Sequence, residues 1–189
     1  DNVMGGVAHI SSTVNKDGTI EHFSEFKKLT FGNRDLSKNN ALKEFAEVCA
    51  KTKFDVALSD DINLDLWKKW VFISTVAGAT TLFSCSLGDI VKTDFGKKII
   101  IDLFNECRSI AQLYKYDYED SEADIILKTI TISGSPIKAS MQRDVEKKSF
   151  TEHEQIFGDL ITKGKKYNFD CPILMSCYVR MNVYQRNLT

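Results

Sequence analysis

The sequence has no excess of charge of either sign: lysine and arginine total 25, aspartate and glutamate 26. No long basic run occurs, which argues against a nucleic-acid binder. There is no G-x-G-x-x-G, so the phosphate-binding turn of a dinucleotide fold is missing. Gly158 to Gly164-Lys165-Lys166 has the wrong spacing for a Walker A loop and no Ser or Thr after the lysine. His153-Glu154 lacks the second histidine of H-E-x-x-H. The five cysteines (Cys49, Cys85, Cys107, Cys171 and Cys177) are odd in number and form no C-x-x-C pair. Cys171 and Cys177 have no histidine pair nearby, so no metal site is expected. The cysteines read as reduced core thiols of a cytoplasmic protein, and no signal peptide is recognisable. Residues 70–88 carry no charge, about the length of a membrane span. Half of them are small or polar, so a buried central helix is the better reading.

With 43% apolar and 27% charged residues, the chain should fold around a real core in one or two domains. It opens at Asp1 rather than Met, in an apparent strand, as expected for a piece of a longer protein. Residues 3–14 read as a strand, Asp17-Gly18 as a hairpin turn, and residues 19–23 and 28–31 as two more strands. A helix over about 38–51 and a strand at 54–58 follow. Ser59, Asp60 and Asp61 offer N-caps for a helix over 62–83 that is apolar almost all round. Further helices are expected over 94–116, 121–132, 136–147, 152–167 and 172–187, the third of these capped by Ser135 at its Pro136 start. The domain boundary is placed near Ser59: residues 1–59 strand-rich, residues 60–189 helical.

Thr151-Glu152-His153-Glu154 reads as a capping box. The Thr151 hydroxyl would accept from the Glu154 N–H, and the Glu154 carboxylate would reach back to the Thr151 N–H. Glu152 then sits in a first helical turn, where the macrodipole favours an anion. Asp170-Cys171-Pro172 starts the last helix, with proline suited to its first position.

Ser140-Met141, Asp144, Thr151-Glu152, Gly158 and Pro172, with Asp61-Ile62 and Trp67-Lys68-Lys69 upstream, resemble the pattern of the ketopantoate reductase (2-dehydropantoate 2-reductase) family. The resemblance covers the second part of that family's proteins. It implies a mainly α fold: a helical C-terminal domain of the 6-phosphogluconate-dehydrogenase-like type. A few strands and a helix from a truncated Rossmann-like domain would precede it. It also implies an NADPH-dependent reductase of a 2-oxo acid, with NADP(H) bound mainly by the missing N-terminal domain. Residues 8–11 would then lie near the cofactor. No membrane and no nucleic acid are implied as partners, and a homodimer through the helical domain is left open.

From the residues themselves, Lys69 between Trp67 and Trp70 is either snorkelling to the surface or held in a low-dielectric pocket that lowers its pKa. Snorkelling is the favoured reading until the resemblance is applied, because Lys69 matches the family's catalytic lysine. Lys68 does not match and points elsewhere on the helix. Glu152 could simply complement its helix dipole, and Ser140 could be an ordinary polar residue. By resemblance Glu152 binds the cofactor and Ser140 the substrate. Ser140 and Asp144 share a helix face. The sequence departs from the family at Ile73, Ala77 and Leu87, where its best-known members carry substrate-binding asparagines, though Gly88 is kept. That favours a different, less polar 2-oxo acid. The rival class is a non-catalytic helical dimerisation module in which Lys69 is structural.

Overall fold

The computed structural model describes residues 3–35 and 40–188. It is mainly helical with one three-stranded sheet, and it divides into two compact units, Asp1–Lys69 and Trp70–Thr189.

In the first unit β1 (Met4–Val14) pairs antiparallel with β2 (Ile20–Asn33), and β3 (Asp55–Leu58) joins β2 in parallel. The hairpin turn is the expected one. Gly18 takes a φ of 85°, and the Asp17 carboxylate accepts from the Thr19 N–H at 3.0 Å. The two strands expected over 19–23 and 28–31 are one continuous strand. A register shift between Ile10 and Ser12 of β1 takes up the extra residues of β2 opposite, so pairing continues across the polar stretch. A parallel neighbour needs a crossover, which α1 (Asn40–Cys49) supplies. Phe45 of α1 meets Phe31 of β2 edge-on, with ring centroids 4.8 Å apart. The first two residues of the expected helix over 38–51 lie outside the described residues.

The odd-numbered side of β1 is the covered one, with Gly5 and Val7 buried and His9 half-buried. A Cβ on Gly5 would come within 2.9 Å of Ile62 Cγ1, so the glycine lets the start of the next helix press on the strand. That helix, α2 (Ile62–Phe83), begins as expected, and of the three cap candidates Asp61 is used. Its carboxylate accepts from the N–H groups of Asn63 at 3.0 Å and Leu64 at 3.1 Å.

In the second unit the C-terminal part of α2 is the buried centre. Thr75, Thr80 and Thr81 are buried and return their hydroxyls to the carbonyls of Val71, Val76 and Ala77, four residues back. A Cβ on Gly78 would stand 2.9 Å from Leu103 Cδ2 and 3.1 Å from Cys177 Sγ. These residues belong to α4 (Gly96–Leu113) and α8 (Pro172–Arg186), which therefore approach α2 closely. Pro172 opens α8 as expected, but no side chain next to it caps the helix. Glu106 of α4 does so instead, accepting from Ile173 N at 3.1 Å and Leu174 N at 2.8 Å.

Three expected helices have shifted boundaries, and one further helix appears. The helix expected over 94–116 begins at Gly96, because Phe95 has a φ of 66°. A short helix, α3 (Leu87–Val91), was not expected; Ser86 caps it through the Asp89 N–H. The helix expected over 121–132 is α5 (Asp120–Ile130). The helix expected from Pro136 starts only at Ser140, as α6 (Ser140–Glu146). The chain before it is held extended along α3: Leu87 N donates to Ile137 O and Gly88 N to Ser135 O, both at 3.0 Å. Ser135 is thus a buried residue of that strap and not the cap of a helix starting at Pro136.

All five cysteines are free and four are buried. Burial pushes the Cys171 thiol up to about 11 and Cys177 to about 12. No described helix is long and apolar enough to cross a membrane.

Candidate active site

Ser140 and Glu152 line one concavity of about 210 Å³ in the second unit. Ser140 is the first residue of α6, delivered there by the strap along α3. The strap depends on Gly88, where a Cβ would sit 2.1 Å from Ser135 N. Much of the rest of the wall is apolar: Phe72, Ile73, Val76 and Ala77 of α2, with Met141 and Ile156. Of the three positions at which the sequence departs from the resembled pattern, Ile73 and Ala77 line this space. Leu87 does not line it: it is a fully buried core residue at the start of α3.

Glu152 precedes an unusual turn. Residues 154–158 form a π-turn (Glu154–Gly158), in which Asp159 N donates to Glu154 O five residues back, followed by α7 (Asp159–Lys165). The helical run thus covers residues 153–165 of the helix expected over 152–167, with the π-turn set into its first part. The Ile156 carbonyl accepts from two donors on α2, Trp70 Nε1 at 2.9 Å and Ser74 Oγ at 3.3 Å. The expected capping box is not formed. The Thr151 hydroxyl bonds His153 Nδ1 at 3.0 Å, and the Thr151 N–H donates to Gln185 of α8 at 3.2 Å. The Glu154 carboxylate is drawn to the Tyr178 hydroxyl at 2.9 and 3.0 Å. Gly158 makes room for that contact, since a Cβ there would stand 2.8 Å from Glu154 Oε2.

Lys69 is the last residue of the first unit, one position before Trp70. It is half-buried, and that burial pulls its pKa below the ordinary 10.5. His9 on β1 also has a lowered pKa. Burial is the main cause; the charges of Lys69 and Lys28 add to it, and Asp65 opposes it. His9 falls within residues 8–11, the region expected near the cofactor, and lies on the covered, odd-numbered side of β1. Among the described residues no cluster of His, Cys, Asp and Glu is arranged to hold a metal ion.

The profile of the family described as "Ketopantoate reductase PanE/ApbA C terminal" matches residues 61–185. An uncharacterized oxidoreductase, YkpB, of Bacillus subtilis (strain 168) is 29% identical over 185 residues, 98% of this chain and 61% of the relative. A 2-dehydropantoate 2-reductase of Streptococcus pyogenes serotype M18 is 20% identical over 172 residues, 90% of this chain and 56% of the relative. The chain thus spans about three fifths of the length of these curated relatives. Two solved structures share the fold. A dimeric ketopantoate reductase from Staphylococcus aureus superposes with a TM-score of 0.84 at 21% identity, covering all of this chain and 64% of the other. A D-mandelate dehydrogenase with NADH and anilino(oxo)acetate gives 0.86 at 20% identity, covering 99% and 61%. With the family profile spanning most of its length, the chain belongs to the ketopantoate reductase family of oxidoreductases.

Proposed function

We propose that this chain is the second part of a cytoplasmic, NADPH-dependent reductase of a 2-oxo acid, with ketopantoate as the reference substrate. The observation that carries this reading is the meeting of Ser140 and Glu152, two residues at the family's pattern positions, in one concavity. A reduced nicotinamide, when bound, supplies a hydride for the keto carbon. Lys69 acts as general acid on the carbonyl oxygen, a role its lowered pKa suits and one worth roughly 10²–10⁴ in rate. Ser140 holds the substrate carboxylate or hydroxyl. Glu152, exposed where it lines the concavity, offers a carboxylate to a cofactor hydroxyl and orients cofactor and substrate. The residues present suit only part of such a cofactor, because no glycine turn for its phosphates occurs in the chain. The chain by itself is therefore expected to be inactive. Two copies pairing through the helical domain are part of the same proposal.

A less polar 2-oxo acid is the second reading. Ile73 and Ala77 in the wall favour it, because an apolar wall rewards apolar substituents and leaves substrate hydroxyls unpaired. NADPH oxidation by the complete protein that carries this chain decides, with ketopantoate and a panel of bulkier, less polar 2-oxo acids. Turnover of ketopantoate that Lys69→Ala lowers by roughly 10²–10⁴ supports the first reading. Turnover of the apolar acids alone supports the second. No turnover of any of them leaves the non-catalytic dimerisation module.

A further inference from the structure

The turn that carries Glu152 is held by its two neighbours. His153, immediately after it, is 1% exposed. One ring nitrogen, Nδ1, bonds the hydroxyl of Thr151, immediately before it, at 3.0 Å. The other, Nε2, is buried and has no hydrogen-bond partner among the described residues. The Glu154 carboxylate lies 3.8 Å from it, beyond hydrogen-bond range. That carboxylate is itself held by Tyr178, whose ring lies 5.9 Å from the imidazole.

A buried side chain with an orphaned nitrogen is costly, and an aliphatic residue would fill the same space without the penalty. The imidazole must therefore be kept for what its other nitrogen does. Nδ1 spans residue 152 to reach the Thr151 hydroxyl, while Gln185 takes the Thr151 N–H from the other side. Thr151 is thus fixed at both its hydroxyl and its N–H. The carboxylate beside Nε2 favours the tautomer with its hydrogen there, so that Nδ1 accepts from Thr151.

We propose that His153 is a positioning residue for Glu152: its Nδ1 clasps the Thr151 hydroxyl and so fixes the direction in which the intervening glutamate presents its carboxylate to the concavity. The inference rests on the reading of Glu152 as a cofactor-facing residue. Pre-setting that carboxylate lowers the ordering cost of binding, so the effect falls on cofactor affinity.

The test uses the complete protein, with NADPH and whichever 2-oxo acid it turns over. The variants are Glu152→Gln, His153→Leu, His153→Asn, Thr151→Val and the double variant Thr151→Val/His153→Leu. His153→Leu should raise KM for NADPH by about tenfold, the equivalent of one lost hydrogen bond, with kcat little changed. Thr151→Val should do the same, and the double variant should be no worse than either single one, because all three break the same clasp. His153→Asn, whose amide oxygen can take the hydroxyl, should recover most of the affinity. Far-UV circular dichroism identifies any variant that has not folded, and the Thr151→Val arm then carries the comparison. If Glu152→Gln weakens NADPH binding while His153→Leu and Thr151→Val leave it unchanged, the clasp is refuted and the function stands. If Glu152→Gln itself changes nothing, the cofactor role of Glu152 fails and the clasp fails with it.

Discussion

The Ile156 carbonyl accepts from both Trp70 Nε1 and Ser74 Oγ, and the two donors back each other up. Trp70→Phe removes one donor and leaves the carbonyl satisfied by the other. A hydrogen bond of this kind contributes about 0.5–1.5 kcal/mol net. Ser74→Ala is expected in the same range, since its hydroxyl is buried and its bond is the longer of the two. Removing both donors strands a carbonyl facing a buried helix and adds a desolvation penalty of about 1–3 kcal/mol. The double variant should therefore lose at least about 1 kcal/mol more than the sum of the singles. Urea unfolding followed by far-UV circular dichroism measures this without relying on the tryptophan signal that one variant removes. The cycle also cancels the loss of the Lys163 ammonium over the Trp70 ring, at 6.0 Å, because that loss enters with Trp70→Phe in both branches. Additivity within about 0.5 kcal/mol would refute the shared-acceptor account.

Other outcomes follow from the same geometry. The lowered pKa of Lys69 predicts that kcat/KM falls on the alkaline side at a pH below the ordinary 10.5 and that Lys69→Ala abolishes this limb. The sign for stability is the opposite. The fold disfavours the charged lysine, so stability rises as pH climbs from the folded pKa toward 10.5, and urea midpoints for Lys69→Met should lack that rise. Gly88→Ala drives a methyl into the Ser135 backbone and should cost about 1–3 kcal/mol or more, read as a lowered Tm. Ile73→Asn returns an amide to the concavity and should shift the ratio of kcat/KM values toward ketopantoate over apolar 2-oxo acids, by about tenfold or more.

The parts of the fold legible in the sequence were those where one periodicity ran unopposed. The bounds of α2 could be read because the uncharged stretch is long and an acidic cap precedes it. Pro172 marked the start of α8 for the same local reasons. Reading failed where a distant partner outcompeted a neighbour. The capping box was a sound local proposal, but Gln185 and Tyr178 of α8 claimed the groups it needed. Ser135-Pro136 looked like a helix start until the strap along α3 took its backbone. Ser140 and Glu152, which line one concavity, could be named only through the resemblance to the family pattern, since their own surroundings in the sequence read as an ordinary polar residue and a helix-dipole partner. The displacement of Leu87 into the core and the orphaned nitrogen of His153 depend on packing, which spacing does not encode.

The π-turn at Glu154–Gly158 has a consequence for how such a chain can change over time. A π-turn holds one more residue than the α-turn it interrupts, so it works as a phase offset between what lies on its two sides. Deleting a single residue such as Gln155 would let the turn close as ordinary α-helix, the same two groups of Asp159 and Glu154 then being four residues apart, and would leave the residues upstream facing the same way. The turn thus takes up one residue more than an α-helix would place between Glu152 and the buried side of α7, and one codon lost here is absorbed, whereas one lost within α7 would turn its apolar side by about 100°.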